Sequence, residues 1–285
     1  MIDLAPTSGL PLTLDDADPR LPLRLRGELQ PGHLVGRSLA ELRQSLADPN
    51  AVGPDPAYWM YNGVARFSAA DARGAYNWRY DLTVLPPGRL GEEYLRTAGH
   101  YHPIPEGKTA AWPEVYEVLH GSALFLLQRV DDHLAGPLEM RVEEFIVLLA
   151  HAGEKAMLPP NYGHWTVNVT DGPLVVCNWI CADFESHYEP AVQTRGPCCY
   201  VVAGEDGPRY ERNPHYAHPP AELRHARPLD APQLGLRPGQ PILTALLREP
   251  DIWRYVCNPD AAPVDLRSAI RVRETDPFPA PSVYR

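Results

Sequence analysis

No stretch of this chain approaches the ~18 consecutive apolar residues that a membrane-crossing helix needs, although 44% of its 285 residues are hydrophobic. The opening MIDLAPTSGLPLTLDD has neither the basic start nor the apolar stretch of a secretory signal, so a cytoplasmic location is expected. Cysteine is scarce. Cys177, Cys181, Cys198, Cys199 and Cys257 make an odd count without zinc-ribbon spacing, which argues against a disulfide framework and leaves reduced, buried or half-buried thiols. Basic residues are also in deficit. With 26 Lys and Arg against 36 Asp and Glu, the formal charge is −10, which speaks against non-specific nucleic-acid binding. An anionic ligand would therefore need a local cluster of donors rather than a global field. Internal repeats and low-complexity tracts are absent.

Proline, by contrast, is plentiful, and it falls where turns belong: Pro86-Pro87, Pro103, Pro105, Pro113, Pro159-Pro160 and Pro219-Pro220. Between these breaks lie short runs rich in β-branched, aromatic and leucine residues: YWMYNGV, YDLTVL, EVYEVLHG, SALFLLQRV, FIVLLAHAG, KAMLPP, HWTVNV and PLVVCNWIC. Eight such runs predict an all-β domain, a small closed or nearly closed barrel. LVVCNWI suits a strand covered on both faces. SLAELRQSL (38–46) predicts a short outer helix with Ser38 as N-cap. Three segments follow: an arm over 1–35, a barrel over 36–190, and a Pro-rich extension over 191–285. The extension shows one strand, at CCYVVA, and a helix in PILTALLREPDIWRYV interrupted at Pro250. Leu243, Leu246, Leu247, Ile252 and Tyr255 form a stripe for docking on the outside of the barrel or for an oligomer interface. His215, His218 and His225 are too scattered to make a metal site.

The chemistry concentrates between residues 99 and 168. His100 and His102 are two apart, so on an extended strand they face one space. Glu114 opens the run EVYEVLHG, with Tyr116 and Val118 on its face and Glu117 on the other, and His164 follows the turn PPNYG. Three imidazoles and a carboxylate from separate strands make a shell for one divalent transition metal; this donor set tolerates Fe, Mn, Ni, Co or Zn. The longer pattern is H-x-H, then E-x6-G (Glu114 to Gly121), then G-x5-P-x-N-x2-H-x3-N (Gly153, Pro159, Asn161, His164, Asn168). It resembles the two motifs of the cupin superfamily, which implies a double-stranded β-helix, or jelly-roll barrel. Asn161 stands where cupins usually carry glycine, and Asn is the residue that best replaces it at positive φ.

The flanking segments narrow the resemblance. YDLTVLPPGRLGEEYLRTAGHYH, PEVYEVLHGSALFLLQ and LPPNYGHWTVNVTDGPLVVCNWICAD, with the approach RSLAELRQSLADPNAVGPDPAYWMYNGV, resemble the cupin-type (archaeal-type) glucose-6-phosphate isomerases over roughly residues 36–188. The resemblance implies metal ligation by His100, His102, Glu114 and His164. It also implies a phosphate cradle at Thr83, Thr97 and the Gly99 N–H, and substrate contact by Tyr116 and Tyr188. Arg96 and Lys108 are read as solvated surface cations, with positive charge near a phosphate as the alternative. Two positions depart from the family: Trp165 stands where Arg is usual, and Ile180 near a usual Tyr. A His–Tyr pair matches His187 and Tyr188 only with a shifted gap. These departures bear on the sugar and phosphate end.

Aldose–ketose isomerisation moves a hydrogen between a carbonyl carbon and its alcohol neighbour. A base, with Glu114 the best placed, can take the C2 proton through an enediol, or a metal can steer a hydride shift. The function implied is interconversion of glucose 6-phosphate and fructose 6-phosphate, or of a related sugar phosphate, by a cytoplasmic homodimer serving glycolysis or gluconeogenesis. A cupin dioxygenase would need an apolar pocket around the same ligands. A non-catalytic sugar-binding cupin would usually have lost some of them.

Overall fold

The protein is described by a computed structural model over residues 1–26, 33–71 and 74–280. In chain order the strands are β1 (Ile2–Asp3), β2 (Leu12–Leu14), β3 (Leu23–Leu25), β4 (His33–Arg37), β5 (Tyr58–Asp71), β6 (Gly74–Leu85), β7 (Arg89–Leu90) and β8 (Glu93–Tyr94). They continue with β9 (Glu114–His120), β10 (Ser122–Val130), β11 (Val142–His151), β12 (Lys155–Leu158), β13 (Tyr162–Asn168) and β14 (Leu174–Cys181). The last four are β15 (Cys199–Gly204), β16 (Gly207–Arg212), β17 (Glu222–Pro228) and β18 (Ile270–Pro277). One sheet runs β12-β9-β14-β6-β5-β4 and a second runs β13-β10-β11-β17-β18. From β9 to β14 the chain passes back and forth between the two, which gives the expected jelly-roll barrel of the cupin type.

Alternation along the strands divides the apolar residues into three cores. Val118, Val176, Phe125, Leu127, Ile146 and Leu148 fill the space between the sheets. On the outer face of the first sheet, Tyr80, Leu82, Val115 and Trp179 meet Leu12 and Leu14 of the N-terminal arm and Leu246 and Trp253 of the extension. The outer face of the second sheet carries Leu126, Val147 and Trp165, packed against Cys198, Val201 and Tyr216. Strand β14 is buried along its whole length, as its unbroken apolar run predicts.

Ser38 caps a helix over Leu39–Leu42 through a reciprocal capping box with Glu41, and a 3-10 turn over Arg43–Ser45 continues it. In the extension, a helix over Ile242–Arg248 gives way at Pro250 to a 3-10 turn over Pro250–Val256. Leu243, Leu246 and Tyr255 are buried in the outer core and Ile252 packs partly against it, but Leu247 is 61% exposed. The stripe is thus narrower than its sequence suggests, because one helical turn presents only part of its circumference to the sheet.

The extension is also more ordered than its proline content suggests. β17 joins β11 in parallel and β18 pairs antiparallel with β17, so both widen the second sheet. The sequence hid them because β18 is an exposed edge strand without apolar alternation. Cys177, Cys181, Cys198 and Cys199 are buried and Cys257 half-buried, all as free thiols. Among the described residues, no helix is long and apolar enough to cross a membrane.

Candidate metal centre

Backbone pairing sets the geometry of the cup between the sheets. The His100 N–H donates to the His164 carbonyl at 3.3 Å and the His164 N–H to the His100 carbonyl at 3.0 Å, so the segment before Pro103 lies alongside β13. Extended geometry then turns His100 and His102 one way and Tyr101 the other. Tyr101 enters the outer core of the second sheet, where its hydroxyl accepts from Gln128 Nε2 at 2.7 Å. The turn before His164 rests on Asn161, whose φ is 68°. Its Oδ1 accepts the Ala111 N–H at 2.9 Å, a bond that glycine could not make.

Four side chains converge as a result. His100 Nε2 lies 3.2 Å from His102 Nε2; Glu114 Oε2 lies 3.4 Å from His102 Nε2 and 3.1 Å from His164 Nε2. One ligand atom from each of the four falls within 4.8 Å of all the others. Among the described residues no second group of this kind occurs.

The donor set fits a divalent ion on grounds independent of resemblance. His102 Nδ1 lies 2.8 Å from the Trp112 carbonyl, and since a carbonyl only accepts, this nitrogen carries the proton and Nε2 offers a lone pair inward. Glu114 Oε2 and His164 Nε2 are fully buried, yet neither has an aligned hydrogen-bond partner. Buried polar atoms left in this way are costly unless something else satisfies them. A cation among them would do so. Burial drives His100 well below its ordinary pKa and also lowers His164, so these imidazoles stay neutral, as ligation requires.

The walls of the cup come from inward-facing residues of the first sheet. Tyr116 lies two residues on from Glu114, its hydroxyl near that carboxylate, and burial raises its pKa well above normal so that the phenol keeps its proton. Tyr116, Asn178 and Asp81 stand abreast on β9, β14 and β6. Thr83 shares its face of β6 with Asp81 and Arg79, the latter two paired at 2.8 Å. Thr97 is half-buried, and its Oγ1 accepts the Thr166 N–H at 3.0 Å. Gly99 has φ 76°, and a Cβ there would lie 1.9 Å from Trp165 Nε1.

Trp165 therefore lies behind the ligand segment rather than beside the sugar end: it is fully buried in the outer core of the second sheet. Arg96 is no surface cation either. It is 2% exposed, binds Glu93 at 2.9 Å and donates to the carbonyls of Thr97 and Ser45. Lys108 pairs with Asp260 at 2.7 Å. Tyr188 lies against His100, ring centroids 5.1 Å apart.

Sequence reasoning missed Tyr58, Arg37, Arg79 and Asp81. Tyr58 accepts the Ala98 N–H at 3.2 Å, and the Arg37 guanidinium lies 5.6 Å from the centre of the Tyr188 ring. Alternation from Thr83 back to Asp81 and Arg79 was the available signal.

A family model described as glucose-6-phosphate isomerase (GPI) matches residues 37–218. The glucose-6-phosphate isomerase of Thermococcus gammatolerans is 27% identical over 204 residues, covering 66% of this chain and 96% of the relative. That of Thermococcus kodakarensis is 26% identical over 195 residues, covering 65% and 91%. The solved structure of oxalate oxidase with the substrate analogue glycolate covers 36% of this chain and 40% of its own, at 17% identity and a TM-score of 0.26, an overlap too slight to bear on the chemistry. The family match takes in all four converging side chains and most of the strands that hold them. On that basis the chain belongs to the glucose-6-phosphate isomerase family.

Proposed function

We propose that the chain interconverts glucose 6-phosphate and fructose 6-phosphate in a cup where His100, His102, Glu114 and His164 hold one divalent transition metal. The convergence of those four donors, two of them buried without an aligned partner, carries the reading. Such an ion, when bound, polarises a substrate carbonyl and acidifies the neighbouring hydroxyl. Glu114 faces His102 and His164 and serves first as ligand, since a carboxylate engaged on a metal is a weak proton acceptor. Tyr116 keeps its proton and donates toward the oxygens of the reacting carbons. Thr83 and Thr97, with the Gly99 N–H, line the path toward the phosphate, and Tyr188 covers His100. Burial between two sheets limits water around the site.

The polar residues Arg79, Asp81, Thr83 and Asn178 on the inward faces of β6 and β14 suit a sugar phosphate and favour this over a dioxygenase. The native metal is one of Fe, Mn, Ni, Co or Zn, and the reading carries with it a cytoplasmic homodimer. Purified protein loaded with each metal in turn should convert fructose 6-phosphate to glucose 6-phosphate, followed by coupled reduction of a nicotinamide. Oxygen consumption with no isomerisation would replace this reading with the dioxygenase. Sedimentation of the loaded protein tests the dimer.

A further inference from the structure

We propose that Phe184 is a positioning residue of the metal centre: with Trp112 it closes an aromatic clamp that fixes the ring of the ligand His102. This role rests on the metal reading above and concerns what holds a ligand in place rather than what the ion does.

His102 is the ligand least secured by backbone. Glu114 and His164 stand on β9 and β13, and His100 is bonded both ways to His164. His102 comes after that bridge, and Pro103 behind it has no N–H with which to extend the pairing. Residues 103–113 then run without strand or helix until β9 begins. An imidazole at such a place can turn about its two side-chain bonds, and each turn carries Nε2 away from the other three donors.

Three contacts remove that freedom, and together they form a closed circuit. His102 Nδ1–H donates to the Trp112 carbonyl at 2.8 Å. The Trp112 indole stacks on the Phe184 ring, with centroids 4.6 Å and planes 13° apart. The Phe184 ring lies against the His102 imidazole at 4.7 Å, tilted by 56°. Among the described residues it is the one ring outside the ligand set that meets His102. The carbonyl that fixes the His102 tautomer thus belongs to a residue whose own ring is fixed by Phe184.

Phe184 is in turn tied on both sides. Before it, the Ala182 N–H donates to the Asn77 carbonyl at 2.8 Å and Asp183 Oδ1 accepts Asn77 Nδ2 at 2.9 Å, which fastens the chain to β6. After it, the His187 N–H donates to the Tyr101 carbonyl at 2.8 Å and the Tyr101 N–H to the His187 carbonyl at 3.0 Å. That second tie falls on the residue next to His102. Trp112 has one further anchor, the Ala111 N–H on Asn161 Oδ1, so losing the stack should loosen its carbonyl rather than release the segment.

The test uses the full-length protein with Co(II) as the probe, in wild type, Phe184→Ala, Phe184→Leu, Trp112→Leu and the double variant Phe184→Ala/Trp112→Leu. Competition with a chromophoric chelator gives the affinity, and the visible ligand-field spectrum reports the geometry around the ion. Phe184→Ala and Trp112→Leu should each weaken Co(II) binding by about 10-fold, the lower end of what a partner of a ligating imidazole is worth, and alter the ligand-field bands. The double variant should lose about as much as either single one, because both break one circuit; losses that multiply would overturn the circuit. Phe184→Leu, which keeps most of the apolar bulk, should recover part of the affinity. Urea denaturation of the metal-free proteins measures folding separately. A merely structural Phe184 would lower that stability and leave Co(II) affinity and bands unchanged in the folded variants, and this result overturns the clamp alone. A wild type that binds no Co(II) overturns the metal reading along with it. If Phe184→Ala fails to fold, Phe184→Leu and Trp112→Leu carry the same comparison.

Discussion

Gly99 offers the sharpest test of how the ligand segment is held. Its φ of 76° disfavours any side chain, and a Cβ would come within 1.9 Å of Trp165 Nε1 and 2.1 Å of its Cδ1. Trp165 is fully buried and has no room to retreat. In Gly99→Ala the left-handed backbone costs about 1–2 kcal/mol and the overpacking a further ~1–3 kcal/mol. Replacing the indole by Leu in Trp165→Leu vacates the space that the methyl needs, so Gly99→Ala in that background should cost only the backbone part. The two substitutions are then coupled by about 1–3 kcal/mol, favourably. Urea denaturation of the wild type, both single variants and the double variant measures this. Because Gly99 precedes His100, the single variant should also lose metal affinity and regain some in the double. A cost below ~0.5 kcal/mol, or the same cost in both backgrounds, would refute the packing argument.

Other outcomes follow from the same structure. Glu117 is buried against Lys155 at 2.9 Å and the Ile242 N–H at 2.8 Å; burial lifts its pKa to about 7 against both partners. The folded state then keeps this proton over a range where the unfolded chain, near pH 4.5, has lost it. The group's contribution to stability therefore falls as pH rises from about 4.5 to 7, by on the order of 3 kcal/mol, and the difference in pH slope from a Glu117→Gln/Lys155→Met protein should show it; parallel slopes would exclude it. Trp253→Ala, in the outer core, should cost about 3–5 kcal/mol in urea and leave the metal stoichiometry intact, whereas loss of metal at equal foldedness would show the extension shaping the cup. Truncation after residue 190 removes β15 to β18 and the buried Leu246 and Trp253, so soluble protein should be lost. A soluble truncated barrel with full metal binding would show the extension to be dispensable.

Much of the barrel was legible because its strands are bounded by turn residues and their inward and outward faces differ in chemistry. The ligand set could be read from a two-residue spacing and two strand registers, Glu114 with Tyr116 and His164 after its turn. β17 and β18 escaped because edge pairing relies on backbone hydrogen bonds that leave no apolar pattern. Arg96 was misread because its charge suggests solvent; its pairing with Glu93, three residues away, and its long-range bond to the Ser45 carbonyl show how a guanidinium becomes buried. Trp165 shows the limit of aligning by resemblance. Its neighbour His164 enters the cup, and a strand turns each next side chain to the other face. Arg37 needed three dimensions, since its contact with Tyr188 joins segments about 150 residues apart.

The central claim is that the four converging residues hold a metal on which isomerisation depends. The measurement is turnover of fructose 6-phosphate before chelation, after chelation, and after return of stoichiometric divalent metal, in wild type and in His102→Ala. The account predicts one metal per chain, loss of turnover on chelation, recovery on reloading, and no recovery in His102→Ala, with far-UV circular dichroism constant throughout because three apolar cores hold the barrel. Full turnover in chelated, metal-free wild type would contradict it.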